Sequence, residues 1–118
     1  MATLDREALA KYAKRRYRTE PVEWIAPGMT MVIQSLTERE RAEIERKIGD
    51  PDCKASTRAL LLIAAIVDDN HNRIFDESHA EWLDSLDSQA MAGLSEAVSE
   101  HCDLQGNRLT PIEDIAKN

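Results

Sequence analysis

Aromatic side chains are scarce in this sequence. Two Trp, two Tyr and one Phe make up 4% of 118 residues, so aliphatic and alanine contacts must supply most of the buried surface. Such a core suits helices. Cysteine is rarer still: Cys53 and Cys102 lie in segments of different character, which points to reduced thiols and away from a disulfide framework. No apolar leader follows Met1, and the longest apolar run, "ALLLIAAIV" from Ala59 to Val67, is about half of the roughly 20 residues a bilayer-spanning helix needs. The expectation is a cytoplasmic protein with no membrane contact and a buried core helix at that run. There is also no glycine-rich phosphate loop, no serine elbow, and no carboxylate pair that stands apart from the acidic surface. The chain therefore reads as a protein that is not an enzyme and has no cofactor.

What is present is charge, unevenly placed. The net charge of −7 arises mostly beyond Ile48, where five Lys or Arg face fourteen Asp or Glu, against ten and eight before it. Nucleic acid is an unfavourable partner for that acidic half. The exception is "KYAKRRYR", which gathers Lys11, Lys14, Arg15, Arg16 and Arg18 around Tyr12 and Tyr17. It reads as a solvated helical face. As an alternative function, it would be the arm of a small nucleic-acid-associated regulator.

The length fits one domain. Leu4 to Tyr17 has helical spacing with a thin apolar face, giving a basic N-terminal helix over residues 1–19 that docks loosely. Alternation through Val22 and Trp24, the turn residues Ala26, Pro27 and Gly28, and Met29, Met31 and Ile33 predict a β-hairpin over 20–36. From there to residue 118 the period is helical. Thr37 and Glu40 form a capping box and Gly49 with Pro51 marks a stop, with Ile44 and Ile48 as the buried stripe. A central helix runs over "KASTRALLLIAAIV", a third starts at Ser78 with Trp82, Leu83 and Leu86, and a fourth presents Met91, Leu94, Val98 and Cys102 before stopping at Gly106. Thr110, Pro111 and Glu113 open a short last helix. The expected fold is mainly α (α+β): an N-terminal β-hairpin followed by a small bundle of about four to five helices.

"VDDNHNRIFDE", from Val67, places Asp68, Asn70 and Asn72 at the spacing of a calcium loop. Counting from Asp68, however, Arg73 takes the position of the turn glycine and His79 that of the bidentate glutamate. Asp and Asn are turn formers, and the stretch reads as a connector whose return is anchored by Ile74 and Phe75. His71, His79, His101 and Cys102 lack the paired spacing of a zinc site. In a chain with so few aromatics, Trp24 and Trp82 read first as core packing; as aromatics are enriched in binding hot spots they also head the candidate partner contacts, Trp24, Ile25, Phe75 and Trp82.

Three passages carry a family likeness: "VEWIAPGMTMVIQSLTERERAEIE", a strand ending in Ser-Leu-Thr before a charged helix; "ALLLIAAIVDDNHNRIFDESHAEWLDSL", an apolar helix, acidic turn and short acidic helix; and "AVSEHCDLQGNRLTPIEDIAKN", a closing helix and proline-started turn. Together they resemble the tail assembly chaperones of long-tailed bacteriophages and prophages, over roughly Glu20 to Asn118. The turn "DDNHNR" departs from that pattern in lacking a glycine, and the basic segment before Thr19 lies outside the likeness. The resemblance implies a protein of the bacterial host cytoplasm that binds the tape measure protein and keeps it soluble during tail tube assembly. Such a protein is absent from the mature virion, self-associates as a homo-oligomer, and has the tail tube protein as a second candidate partner. It further implies a longer form made by minus-one ribosomal frameshifting. The closing Ala116-Lys117-Asn118 is compatible with this when encoded as GCA-AAA-AAC, which contains a slippery heptamer in phase; other synonymous codons abolish it.

Overall fold

The computed structural model describes residues 3–102. In chain order these form α1 (Arg6–Tyr12), β1 (Tyr17–Pro21), β2 (Thr30–Gln34), α2 (Glu38–Ile48), α3 (Thr57–Ala65), β3 (Ile66–Val67), a 3-10 turn (Glu77–His79), α4 (Ala80–Asp84) and α5 (Ser88–Cys102). The expected α+β fold, a hairpin leading into helices, is what forms. The expected stop at Gly106 and the helix opened by Thr110 fall outside the described residues.

The hairpin is longer at its start than the sequence predicts. β1 and β2 are antiparallel, with Tyr17 opposite Gln34 and Pro21 opposite Thr30, so Tyr17 belongs to the sheet and not to the basic helix. The aromatic and β-branched character of Tyr17 and Thr19 suits a strand, and α1 has already ended at Tyr12. Trp24 and Ile25 consequently sit in the connection between the strands and not on a strand face.

β2 is the central strand, because β3 pairs along its other edge, with Val32 opposite Val67 and Ile33 opposite Ile66. The predicted core helix therefore stops at Ala65: the β-branched pair Ile66-Val67 leaves the helix and adds a third strand. Gln34, buried at the end of β2, donates from Nε2 to the Ala64 carbonyl at 2.8 Å and so satisfies an acceptor that the end of α3 leaves open. The connector that follows closes on itself. Asp68 N–H donates to the Asn72 carbonyl at 2.8 Å, and the Asp68 carboxylate accepts from the Asn70 and Asn72 amides at 2.8 and 3.0 Å. The left-handed residue is His71, φ 66°, not one of the asparagines, and its ring stacks on Tyr17 at a centroid distance of 3.6 Å.

Helix ends follow local chemistry. Thr37 and Glu40 form the expected capping box, with Glu40 N–H donating to Thr37 Oγ1 and Thr37 N–H to Glu40 Oε1. The cap before α4 lies two residues earlier than expected: Asp76, not Ser78, accepts from Ser78 N–H, and the His79 ring accepts from Asp76 N–H. Ser56 caps α3 and also holds the Asp84 carboxylate, which ties the start of α3 to the end of α4. Asp87 caps α5 through the Gln89 and Ala90 amides.

α3 packs on α5, α4 and α2, and α5 also packs on β2, so the core lies between the sheet and the helices. Its centre is Ile33, Leu62, Leu83 and Val98, all essentially inaccessible. Met91 and Cys102 join it from α5, as the helical spacing predicts, whereas Leu94 is only half-buried. Ile48, expected beside Ile44 in the buried stripe of α2, is 53% exposed, which leaves Ile44 as that helix's one buried residue. Ile74 does not anchor the return either, being largely exposed, while Phe75 does pack against the core.

Candidate functional site

Two apolar surfaces stand out: Trp24 and Ile25 of the expected contact residues lie on the first and Phe75 on the second, with Trp82 behind Phe75 and outside the groove lining. The first is the β1–β2 connection. Val22, buried, begins it, and Val22 N–H donates to the Met29 carbonyl at 2.9 Å, closing the loop at its base. Ile25 N–H returns to the Val22 carbonyl at 2.9 Å and Met29 N–H to the Ala26 carbonyl at 3.1 Å. In that last turn Pro27 presets the first corner. Gly28 occupies the second at φ 74°, the left-handed position that a turn of this kind reserves for glycine.

This backbone holds Trp24, Ile25 and Met29 at the surface, each about half exposed. The other half of Trp24 is docked. A Cβ on Gly93 of α5 would approach Trp24 Cη2 to 2.8 Å and Cζ2 to 2.9 Å, closer than such atoms come, so the missing side chain of Gly93 is the seat of the indole edge. Trp24 is thus a fixed aromatic with one free face, which costs little further side-chain entropy on binding. Sequence reasoning missed Gly93 and the contribution of Met29. The signal was a lone glycine inside the strongly helical "MAGLSEAV", where glycine costs about 1 kcal/mol relative to alanine and so calls for a packing reason.

The second surface is a groove of about 380 Å³ between α2, α3 and residues 73–77, the segment that returns from the acidic turn. Ile44, Leu60, Ile63 and Ala64 form its floor and Ile74 and Phe75 one wall. Phe75 is backed by Trp82 at a ring-centroid distance of 6.1 Å and by His79 at 5.8 Å. Trp82 itself is 53% exposed on α4. The rim is charged, and Lys47 of α2 pairs with Glu77 across it.

Glu40 is the most engaged rim residue. Its two carboxylate oxygens accept from Arg15 and Arg73, each at 2.8 Å, as well as from Thr37 N–H. Burial would raise its carboxyl, but the hydrogen bonds from the Thr37 amide and the two guanidinium groups outweigh it and hold Glu40 below the ordinary carboxylate range. Part of the basic segment is spent on such pairs: Arg15 on Glu40, and Arg18 on Glu20 at 3.0 Å and Glu100 at 4.0 Å.

Of the histidines and cysteines, His71 lies in the connector, His79 caps the 3-10 turn, and His101 and Cys102 are buried. Among the described residues no three His, Cys, Asp or Glu side chains are gathered closely enough to share a metal ion. Both cysteines are free; burial pushes the Cys102 thiol up to about 11, so it stays protonated. Among the described residues no helix is long and apolar enough to cross a membrane.

Fold and surface together define a small α+β protein that offers an apolar cluster with one fixed aromatic on its hairpin connection and a charged-rimmed apolar groove on its helical side. No protein-family model, curated protein or solved structure matches the chain.

Proposed function

We propose that this protein is a phage tail assembly chaperone of the bacterial host cytoplasm: a binding protein and not an enzyme, which holds the tape measure protein soluble while the tail tube assembles and does not remain in the virion. The family likeness of the three sequence passages motivates the reading. The observation that carries it is the cluster of Trp24, Ile25 and Met29, half exposed on a hydrogen-bonded connection of an otherwise acidic chain. A long tape measure protein presents apolar helical faces that need cover until tube subunits replace it, and a fixed aromatic edge suits such faces. The surrounding charge of −7 keeps the complex dissolved.

The test is complex formation between this protein and the tape measure protein encoded with it, followed over a rising series of salt concentrations. An apolar contact predicts binding that changes little with salt. Binding instead to nucleic acid, falling steeply with salt, would move the function to the basic residues Lys11 to Arg18.

A further inference from the structure

α1 is a helix without a support. None of its residues is buried, and Leu4, Leu9 and Tyr12 are 71%, 51% and 50% exposed. Its seven residues are capped only by Asp5, which accepts from Ala8 N–H at 2.8 Å. An isolated helix shorter than about 12 residues is marginal in water, so packing must come from elsewhere. At helical spacing Leu4, Ala8 and Tyr12 fall on one stripe with Leu9 beside it, an apolar face that nothing among the described residues covers.

The groove between α2, α3 and residues 73–77 has the complementary character. Its floor is aliphatic, and its lining carries four carboxylates, Glu40, Glu43, Asp76 and Glu77, against Lys47 and Arg73. Glu40 is held by Arg15 and Arg73, whereas Glu43, Asp76 and Glu77 are 54%, 73% and 70% exposed and make only surface pairs, with Arg46, His79 and Lys47, which leave them open to a second cation. The arm has the opposite balance. Beyond Glu7 it carries Lys11, Lys14, Arg15 and Arg16 with no carboxylate before Glu20. Arg15 is fixed to Glu40 on the rim of the chain's own groove, only Ala13 and Lys14 separate it from the end of α1, and in that arrangement α1 stands exposed and does not occupy the groove.

We propose that the groove of one copy receives α1 of a second copy, with Leu9 and Tyr12 on the aliphatic floor and Lys11 and Lys14 against the acidic rim. Reciprocal exchange closes a dimer; one-way exchange builds a longer array. The inference does not rest on the chaperone reading, and the hairpin cluster of Trp24, Ile25 and Met29 stays free for a client in either arrangement.

The test uses the full chain. Sedimentation equilibrium should give a mass above the 13.3 kDa of one copy, and Leu9→Asp on the arm or Glu43→Lys on the rim should each weaken association on the order of tenfold. Both positions are exposed, so circular dichroism of either variant should match the parent. For placement, Leu9→Cys and Ile74→Cys are each made in a Cys53→Ser background and oxidised separately and mixed. A disulfide-linked pair that forms faster in the mixture than in either variant alone puts the arm of one copy on the groove of another. A monomer at all concentrations overturns the proposal, as does cross-linking no faster in the mixture. So does a Leu9→Cys/Ile74→Cys chain that closes only within itself.

Discussion

Gly93 and Trp24 are one unit. Gly93→Ala gains helix propensity, about 1 kcal/mol, yet its methyl would meet the indole at under 3 Å, an overpacking that costs about 1–3 kcal/mol. In the parent the change should therefore destabilise, or expel the indole and shift its emission to the red. In a Trp24→Ala background the clash is gone and the same change should stabilise by up to about 1 kcal/mol. Urea unfolding of the four chains followed by circular dichroism measures both signs, and Trp82→Phe in the two chains that keep Trp24 isolates its emission. The thiols offer a second residue-level check. Cys102, buried and held protonated, should react with a disulfide reagent only on unfolding, whereas half-buried Cys53 should react in the folded protein. Two equally fast thiols in native buffer would contradict the packing of α5.

At the scale of elements, α2 starts where its capping box starts. Thr37→Ala should cost about 1 kcal/mol, read as a lower urea midpoint at unchanged slope. Acid sensitivity belongs to the junction of α5, the hairpin and α2. Burial lowers the affinity of His101 for a proton, with its Nε2 3.4 Å from the Arg16 carbonyl and Arg16 and Arg18 nearby, while Glu40 is held below its ordinary value by its donors. In both cases the unfolded chain binds the proton more readily. Stability contributed by His101 is thus complete above its ordinary 6.5 and lost as pH falls from there, and that of Glu40 is lost below 4.5. Unfolding free energy should decline in two stages on acidification, and His101→Gln should flatten the upper one.

Much of this level was legible in the sequence because it is local chemistry: the hairpin turn at Pro27-Gly28, the box at Thr37 and Glu40, and the Met91, Val98, Cys102 face. The misses are places where tertiary pairing decides. Ile66-Val67 continues an apolar run that reads as helix until an available edge of β2 draws it into the sheet. Tyr17 closes a helical pattern in the sequence, although its pairing with Gln34 makes it a strand residue. Asp76 outcompetes Ser78 as a cap because its carboxylate reaches the Ser78 amide. Of the site, Trp24, Ile25, Phe75 and Trp82 were named from residue type alone. That they form two separate surfaces, and that Gly93 seats one of them, depends on α5 crossing the hairpin connection, which no local pattern encodes.

For the molecule as a whole, the proposed function assigns solubility to the acidic sequence beyond Ile48 and contact to the apolar cluster of Trp24, Ile25 and Met29 on the hairpin. The core that supports both is small, so Leu62→Ala at its centre should cost about 2–5 kcal/mol and reduce client binding only through the folded fraction. Trp24→Ser with Ile25→Ser should do the reverse, removing the contact at a smaller cost to the fold, since each side chain is about half exposed and only the indole edge seated on Gly93 is lost from packing. The most direct measurement is the soluble fraction of the tape measure protein expressed alone, with this protein, and with the Trp24→Ser/Ile25→Ser variant. The expected result is soluble client with the parent and aggregated client alone or with the variant, the variant itself remaining folded by circular dichroism. A client equally soluble in all three, or equally aggregated in all three, would contradict the chaperone function.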